Sequence, residues 1–315
     1  MMGKIALVFP GQGSQHVGMG RDFWEQVPEA RALLEESGKA LGSDLAALCF
    51  EGPEDTLTLT ANAQPAILAV SMAAFAAFRR EGIPFDYVAG HSLGESSALV
   101  AAGSLRLDDA IRAVRRRGEF MQEAVAPGIG AMAAILGLEG EAVLEVCHEA
   151  AAGDIVEIAN FNGPDQIVVS GHTAAVERAV ALAKKRGAKR AVRLQVSAPF
   201  HCSLMRPAGE RLAAVLKGIP IADPRVPVVN NVDAEVVTKS AEVKEGLIRQ
   251  VSSPVRWVDV VRRLVKEGVT VFLELGPGRV LTGLIRRIVG DARALHAEDL
   301  ASLRAAIDQL RACSR

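Results

Sequence analysis

A nucleophilic serine needs a turn that lifts its hydroxyl clear of the backbone, a base to take its proton, and donors for the oxyanion its attack creates. Gly90-His91-Ser92-Leu93-Gly94 supplies the turn. It lies between an apolar strand pattern over 86–89 and small helix-compatible residues over 95–102. That is the strand, turn and helix setting in which Gly-x-Ser-x-Gly carries a nucleophile. The glycines relieve crowding, leaving Ser92 at the apex with a helix amino end beneath it. A bare Gly-x-Ser-x-Gly is also common in ordinary turns, so its partners decide.

Among the histidines, His148 falls inside a helix pattern, His172 at a helix entry and His296 near the carboxyl end. His201 instead follows a strand and a proline in the loop Ser197-Ala198-Pro199-Phe200-His201-Cys202, where core packing does not consume an imidazole. It is the expected base, with His91 in reserve, because neighbouring side chains in a tight turn diverge. Gly11-Gln12-Gly13-Ser14-Gln15-His16 lacks the third glycine of Gly-x-Gly-x-x-Gly and has no Gly-Lys-Ser/Thr after it, which disfavours nucleotide binding. Such a loop can present N–H groups to an oxyanion, or be no more than a flexible turn. On the helix that opens at Leu107-Asp108-Asp109, the residues Ile111, Val114, Gly118, Met121 and Val125 share one face. Of Arg115, Arg116 and Arg117, only Arg117 flanks that face closely enough to reach into a cleft; the alternative is that all three are solvated.

These groups must be held by a large chain. Of 315 residues, 50% are hydrophobic, enough for two domains or one domain with an insertion. The net charge of -1, with both signs dispersed, argues against a nucleic-acid binder or a polybasic membrane-surface protein. Cys49, Cys147, Cys202 and Cys313 are scattered without ligand spacing, so neither a zinc site nor any other metal is expected and a reducing compartment is; Cys202 is the one to watch. The amino terminus runs straight into a strand pattern, and the apolar run 65–78 is too short to span a bilayer, so a cytoplasmic protein is expected.

The pattern starts with a strand over 4–9, a helix-like run over 23–48, and a helix entered at 60–65 with Pro65 in its first turn that ends near Gly82. After Pro127-Gly128 the rhythm changes: strand 131–136, helix 139–151, strands 155–160 and 166–170, helix 173–186, strand 190–196. This βαββαβ order is ferredoxin-like. The expected fold is therefore an α/β-hydrolase-like parallel-sheet body, 1–127 and 198–315, with an inserted ferredoxin-like subdomain, 128–197, and a ligand cleft between them. Strands at 226–230 and 269–273, helices at 243–250 and 258–267, and a last helix after Glu274-Leu275-Gly276-Pro277-Gly278 complete the body.

Taken in order, Pro10-Gly11-Gln12-Gly13-Ser14-Gln15, Gly90-His91-Ser92-Leu93-Gly94-Glu95, Arg117-Gly118 with Met121-Gln122, Ala159-Asn160-Phe161-Asn162-Gly163-Pro164, Phe200-His201-Cys202, Asn231-Val232-Asp233-Ala234 and Glu274-Leu275-Gly276-Pro277-Gly278 closely resemble the malonyl-CoA:acyl carrier protein transacylases of fatty-acid synthesis. The likeness covers nearly the whole chain. It implies Ser92 as acyl acceptor, His201 as base, the N–H groups of Gln12 and Leu93 as oxyanion hole, and Arg117 as the clamp on the malonyl carboxylate. It implies that the carbonyl of Gln250 orients the histidine, in keeping with the lack of an acidic residue near His201. Gln64, His91 and Asn160 match pocket residues, and Phe200 matches the malonyl-selecting variant. Ser96 departs from a bulkier residue common in relatives. The resemblance further implies malonyl-CoA and acyl carrier protein as partners, no cofactor, and a monomer. Carrier proteins are acidic, and Lys184, Lys185, Arg186, Lys189, Arg190 and Arg193 form a candidate docking patch. A serine thioesterase or esterase and a non-catalytic carrier-protein binding module are the alternatives.

Overall fold

The computed structural model describes residues 3–196 and 198–312; Ser197, the expected end of the insertion, and Cys313 lie outside the described residues. The first strand, β1 (Lys4–Phe9), sends Ile5, Leu7 and Phe9 into one core and Ala6 and Val8 into another. Burial on both faces requires a central position in a sheet covered by helices. Next come α1 (Arg21–Gln26), α2 (Pro28–Leu41), α3 (Leu45–Glu51), α4 (Glu54–Thr58) and α5 (Thr60–Arg79). The helical run expected over 23–48 is thus divided. Pro28, whose missing N–H costs nothing at a helix start, opens α2, and Gly42 closes it with φ 64. Pro65 sits in the second turn of α5, not the first; it has no N–H for the Ala61 carbonyl, which Arg115 Nη1 approaches at 3.3 Å instead. Among the described residues, Thr60–Arg79 is the one helix long and apolar enough to cross a membrane, and 78% of its apolar window is buried in the protein.

The nucleophile region follows as β2 (Tyr87–Gly90), α6 (Leu93–Ala101) and α7 (Leu107–Glu123), so Val125 falls beyond the helix whose face it was expected to share. Then come β3 (Gly130–Leu136), α8 (Gly140–Ala151), β4 (Val156–Gly163), β5 (Gln166–His172), α9 (Thr173–Lys185) and β6 (Arg190–Arg193). These four strands form one antiparallel sheet in the order β4-β5-β3-β6, the ferredoxin-like arrangement, with their own apolar core beneath α8 and α9. Compared with expectation, β4 runs on to Gly163 and β6 stops at Arg193.

The chain returns through a 3-10 turn, Ser203–Met205, then α10 (Arg206–Leu216), β7 (Val228–Val229), β8 (Val236–Val237), α11 (Ser240–Gln250), α12 (Trp257–Lys266), β9 (Val269–Leu275), α13 (Val280–Ile288), β10 (Arg293–Ala297) and α14 (Leu300–Ala312). The large sheet has the order β10-β9-β1-β2-β7-β8, parallel throughout except for the β7–β8 pair. Three features differ from the sequence reading. β8 adds an antiparallel edge to a shortened β7, β9 extends through Glu274, and α13 is followed by β10 and α14. Glu274 reads as a break because it is charged; it stays in the strand because its carboxylate caps α13. The small sheet is clasped to the body where Val255 donates to the Ala159 carbonyl and accepts from Phe161 N–H, each at 2.9 Å.

Candidate active site

β2 lies beside β1 in parallel register, with Gly90 opposite Phe9, and the chain turns sharply from it into α6. Ser92 takes φ 51 and ψ −108, a strained conformation for a residue with a side chain. The flanking glycines are dictated by space: a Cβ on Gly90 would run into the Gly94 carbonyl group, and one on Gly94 into the Phe9 oxygen. Asn231 pins the turn from the far side. Its Oδ1 accepts from Ser92 N–H at 2.6 Å and its Nδ2 donates to the Gly90 carbonyl at 2.7 Å. Leu93 N–H, first in α6, and Gln12 N–H donate to no other described group, and both residues border the cleft. Ser14 Oγ donates to Gly11 O at 2.8 Å and Gln12 Nε2 to Thr60 Oγ1 at 3.1 Å, which shapes the glycine loop around its free donor.

Ser92 Oγ and His201 Nε2 are 2.7 Å apart, and His201 Nδ1 donates to the Gln250 carbonyl at 2.9 Å. A carbonyl only accepts, so Nδ1 carries the proton and Nε2 presents its lone pair to the serine hydroxyl. His201 is 5% exposed. Burial, helped by the Arg117 charge, pushes its pKa down from 6.5 to about 3, while the Gln250 carbonyl opposes the shift. The imidazole is thus uncharged at neutral pH, with a lone pair able to take a proton.

Arg117 is buried on α7, with Nη1 on Gln64 Oε1 at 2.9 Å and Nη2 on Gln250 Oε1 at 2.9 Å and Ser92 Oγ at 3.1 Å. Its neighbours separate as the helical wheel requires: Arg116 is exposed and pairs with Glu119, and Arg115, on the flank, pairs with Glu119 and Asn62. Gly118 allows the approach, since a Cβ there would lie 2.8 Å from both Ala61 Cα and Thr60 O of α5. Burial pulls the guanidinium down to about 10, opposed by the charge of Glu95, so it stays cationic at neutral pH. Its three partners are all neutral. Glu95, itself buried, is pushed up to about 7 by burial against its hydrogen bonds to Asn231 and Gln250.

The cleft above these groups holds about 240 Å³ and lies between the small sheet, which lines it with Met132, Asn160, Asn162 and Val168, and the loops and helices of the body. Gln64, His91, Asn160 and Phe200 all line it, as the sequence reading expects. His91 donates through Nε2 to Asn162 Oδ1 at 2.7 Å, which joins the serine turn to the small subdomain, while the imidazole on Ser92 Oγ is that of His201. Sequence reasoning gave no role to Glu95, Asn162 or Asn231, although each stood inside a motif; nothing short of the fold brings Glu95 and Asn231 together. Met132, Val168 and Leu194 also line the cleft, without a sequence signal beyond apolar strands. Cys202 is not a second nucleophile: burial raises its thiol to about 11 and Sγ donates to Pro199 O at 3.1 Å. Ser96 is buried in α6. Among the described residues no cluster of metal-binding side chains is present.

Residues 6–306 match the acyl transferase domain family. The chain is 50% identical over 311 residues to the malonyl CoA-acyl carrier protein transacylase of Bacillus subtilis (strain 168), covering 98% of each. Its fold superimposes with a TM-score of 0.95 on the malonyl CoA-acyl carrier protein transacylase of Coxiella burnetii, at 43% identity and 98% coverage of both chains. A malonyl-transacylase solved in complex with its type II PKS acyl-carrier protein gives the same score at 46% identity, covering 97% of this chain and 99% of that one.

Proposed function

The chain belongs to the malonyl-CoA:acyl carrier protein transacylase family of acyl transferases and is a malonyl-CoA:acyl carrier protein S-malonyltransferase; we propose that it works through a malonyl ester on Ser92. The observation that carries this reading is the buried guanidinium of Arg117 beside the serine hydroxyl, with neutral partners only. A malonyl carboxylate supplies the missing anion, held bidentately, while its thioester carbon faces Ser92 Oγ.

As His201 Nε2 takes the serine proton, Oγ attacks the thioester carbon, and the oxyanion meets the N–H groups of Gln12 and Leu93, worth about 3 kcal/mol each. The C–S bond then breaks and the CoA thiolate leaves with the proton from His201. In the second half the phosphopantetheine thiol of the carrier protein gives its proton to His201 and attacks the ester, and Ser92 is restored. The Gln250 carbonyl occupies the place at Nδ1 where a hydrolase triad puts a carboxylate, which favours transfer over the thioesterase reading.

The same proposal takes 128–197 as the inserted subdomain, the cytoplasm as the site of action, fatty-acid synthesis as the pathway and a monomer as the working form. Phe200, at 7% exposure, puts a bulky ring on the cleft wall, which supports selection of malonyl over a branched acyl group. Intact mass after brief mixing with malonyl-CoA or acetyl-CoA tests the reading. Wild type should gain a malonyl adduct that Ser92→Ala lacks. Arg117→Ala should lose about 2–5 kcal/mol in kcat/KM for malonyl-CoA and turn toward acetyl. Free CoA released without any adduct would instead indicate a hydrolase.

A further inference from the structure

We propose that Glu95 is a positioning residue for malonyl transfer: one oxygen of its buried carboxylate anchors Asn231 and Gln250, and those two side chains set the nucleophile turn and the carboxylate-binding arginine together. The inference deepens the proposed function and rests on it for the roles of Ser92 and Arg117.

Glu95 stands in the first turn of α6, directly behind the nucleophile, and is 3% exposed. Its Oε2 accepts from the backbone N–H of Asn231 at 2.8 Å and from Gln250 Nε2 at 2.9 Å. Asn231 is thereby fixed at its backbone, and its side-chain amide bridges Gly90 O and Ser92 N–H. Gln250 Nε2 also reaches Ser92 O at 3.1 Å, and its Oε1 takes Arg117 Nη2. The backbone carbonyl of the same glutamine holds the base. Both amide carriers therefore converge on one oxygen, and through them Ser92 is gripped at its N–H and its carbonyl while Arg117 is aimed from the other end of the Gln250 amide.

A carboxylate suits this place for two reasons. The amino end of α6 favours negative charge in its first turn. Among the described residues no acidic side chain touches the buried Arg117, and the negative charge of ionised Glu95 acts on that cation from a distance. Without its acceptor, Gln250 Nε2 loses one of the bonds that hold the amide plane, and a rotated amide no longer presents Oε1 to Arg117. Selectivity and nucleophile geometry should then fail together, which mere filling of space under α6 would not produce.

The test follows malonyl and acetyl adduct formation by rapid quench and intact mass in wild type, Ser92→Ala, Glu95→Ala, Glu95→Gln, Gln250→Ala and the Glu95→Ala/Gln250→Ala double variant, with circular dichroism to verify folding. Glu95→Ala should slow malonylation about 100-fold, the scale of a small misplacement at a reacting centre. Its preference for malonyl over acetyl should fall in parallel, Gln250→Ala should do the same, and the double variant should be no worse than the poorer single. Glu95→Gln, which can keep an oxygen at the Oε2 position, should recover to within about tenfold of wild type. A folded Glu95→Ala within about threefold of wild type, or one that is slow with its malonyl preference intact, overturns the inference, as do additive effects in the double variant. If Glu95→Ala does not fold, Gln250→Ala decides: an unchanged malonyl preference there overturns it. Wild type that forms no adduct removes the Ser92 reading and this inference with it, whereas a normal wild-type adduct with an unimpaired Glu95→Ala removes this inference alone.

Discussion

His201, the proposed base, is made ready by what surrounds it. Burial and the Arg117 cation hold its pKa near 3, so it stays unprotonated through the whole neutral range. The pH profile of kcat/KM for malonyl-CoA should accordingly show no histidine limb near the usual 6.5. Arg117→Ala removes one cause of the depression and leaves burial in place, so the acid limb should move upward toward neutrality. A limb at 6.5 that stays put in the variant would contradict this assignment of charge. At this scale Ser92, His201 and Arg117 were legible because each carries its signal locally: a glycine-bounded turn, a loop histidine after a strand, an arginine beside an apolar stripe. Asn231 was not, because its amide matters only through contacts with Gly90 and Ser92, some 140 residues away in the chain.

Elements do their work at their ends. Glu274 sits one residue before the end of β9 and caps α13, with Oε1 accepting Leu281 N–H at 3.0 Å and Oε2 accepting Thr282 N–H and Oγ1, each at 2.7 Å. Burial nonetheless lifts its pKa to about 7. A folded-state value above the unfolded one gives stability that is complete below the unfolded value near 4.5 and is lost as pH rises through about 7. In urea titrations, the stability advantage of wild type over Glu274→Gln should therefore shrink by about 1–3 kcal/mol between roughly pH 5 and pH 8. A difference independent of pH would show that the carboxyl ionises as it does in water. The sequence hid this arrangement, because a glutamate before Leu-Gly-Pro-Gly reads as the end of a strand. It hid β10 as well, a strand of five residues that includes Arg293 and His296. The clean alternation of strand and helix in the insertion, by contrast, was enough to give its order of elements correctly.

For the molecule as a whole, charge matters where the carrier protein must arrive. Arg186 is occupied by Glu145 and Glu149, and Arg193 by Glu177, so the patch expected from sequence narrows to Lys184, Lys185, Lys189 and Arg190, all exposed and without an acidic partner among the described residues. β6 leads from this group directly to Leu194, Gln195 and Val196 on the wall of the cleft. Replacing Lys189 and Arg190 by glutamate should lower kcat/KM for the carrier protein by about tenfold and flatten its dependence on salt. An unaltered salt dependence would remove the patch from the docking surface.

β9 is made late yet sits next to β1, with Leu273 opposite Leu7 and β2 on the other side. A ribosome that has already delivered Ser92, Arg117 and His201 still has to deliver Val269–Leu275 before the first strand is paired on both edges. At about 5–20 residues per second, the nascent chain carries that unpaired apolar edge for roughly ten seconds to a minute. The finished enzyme conceals the edge completely, so the need for shelter falls on its synthesis.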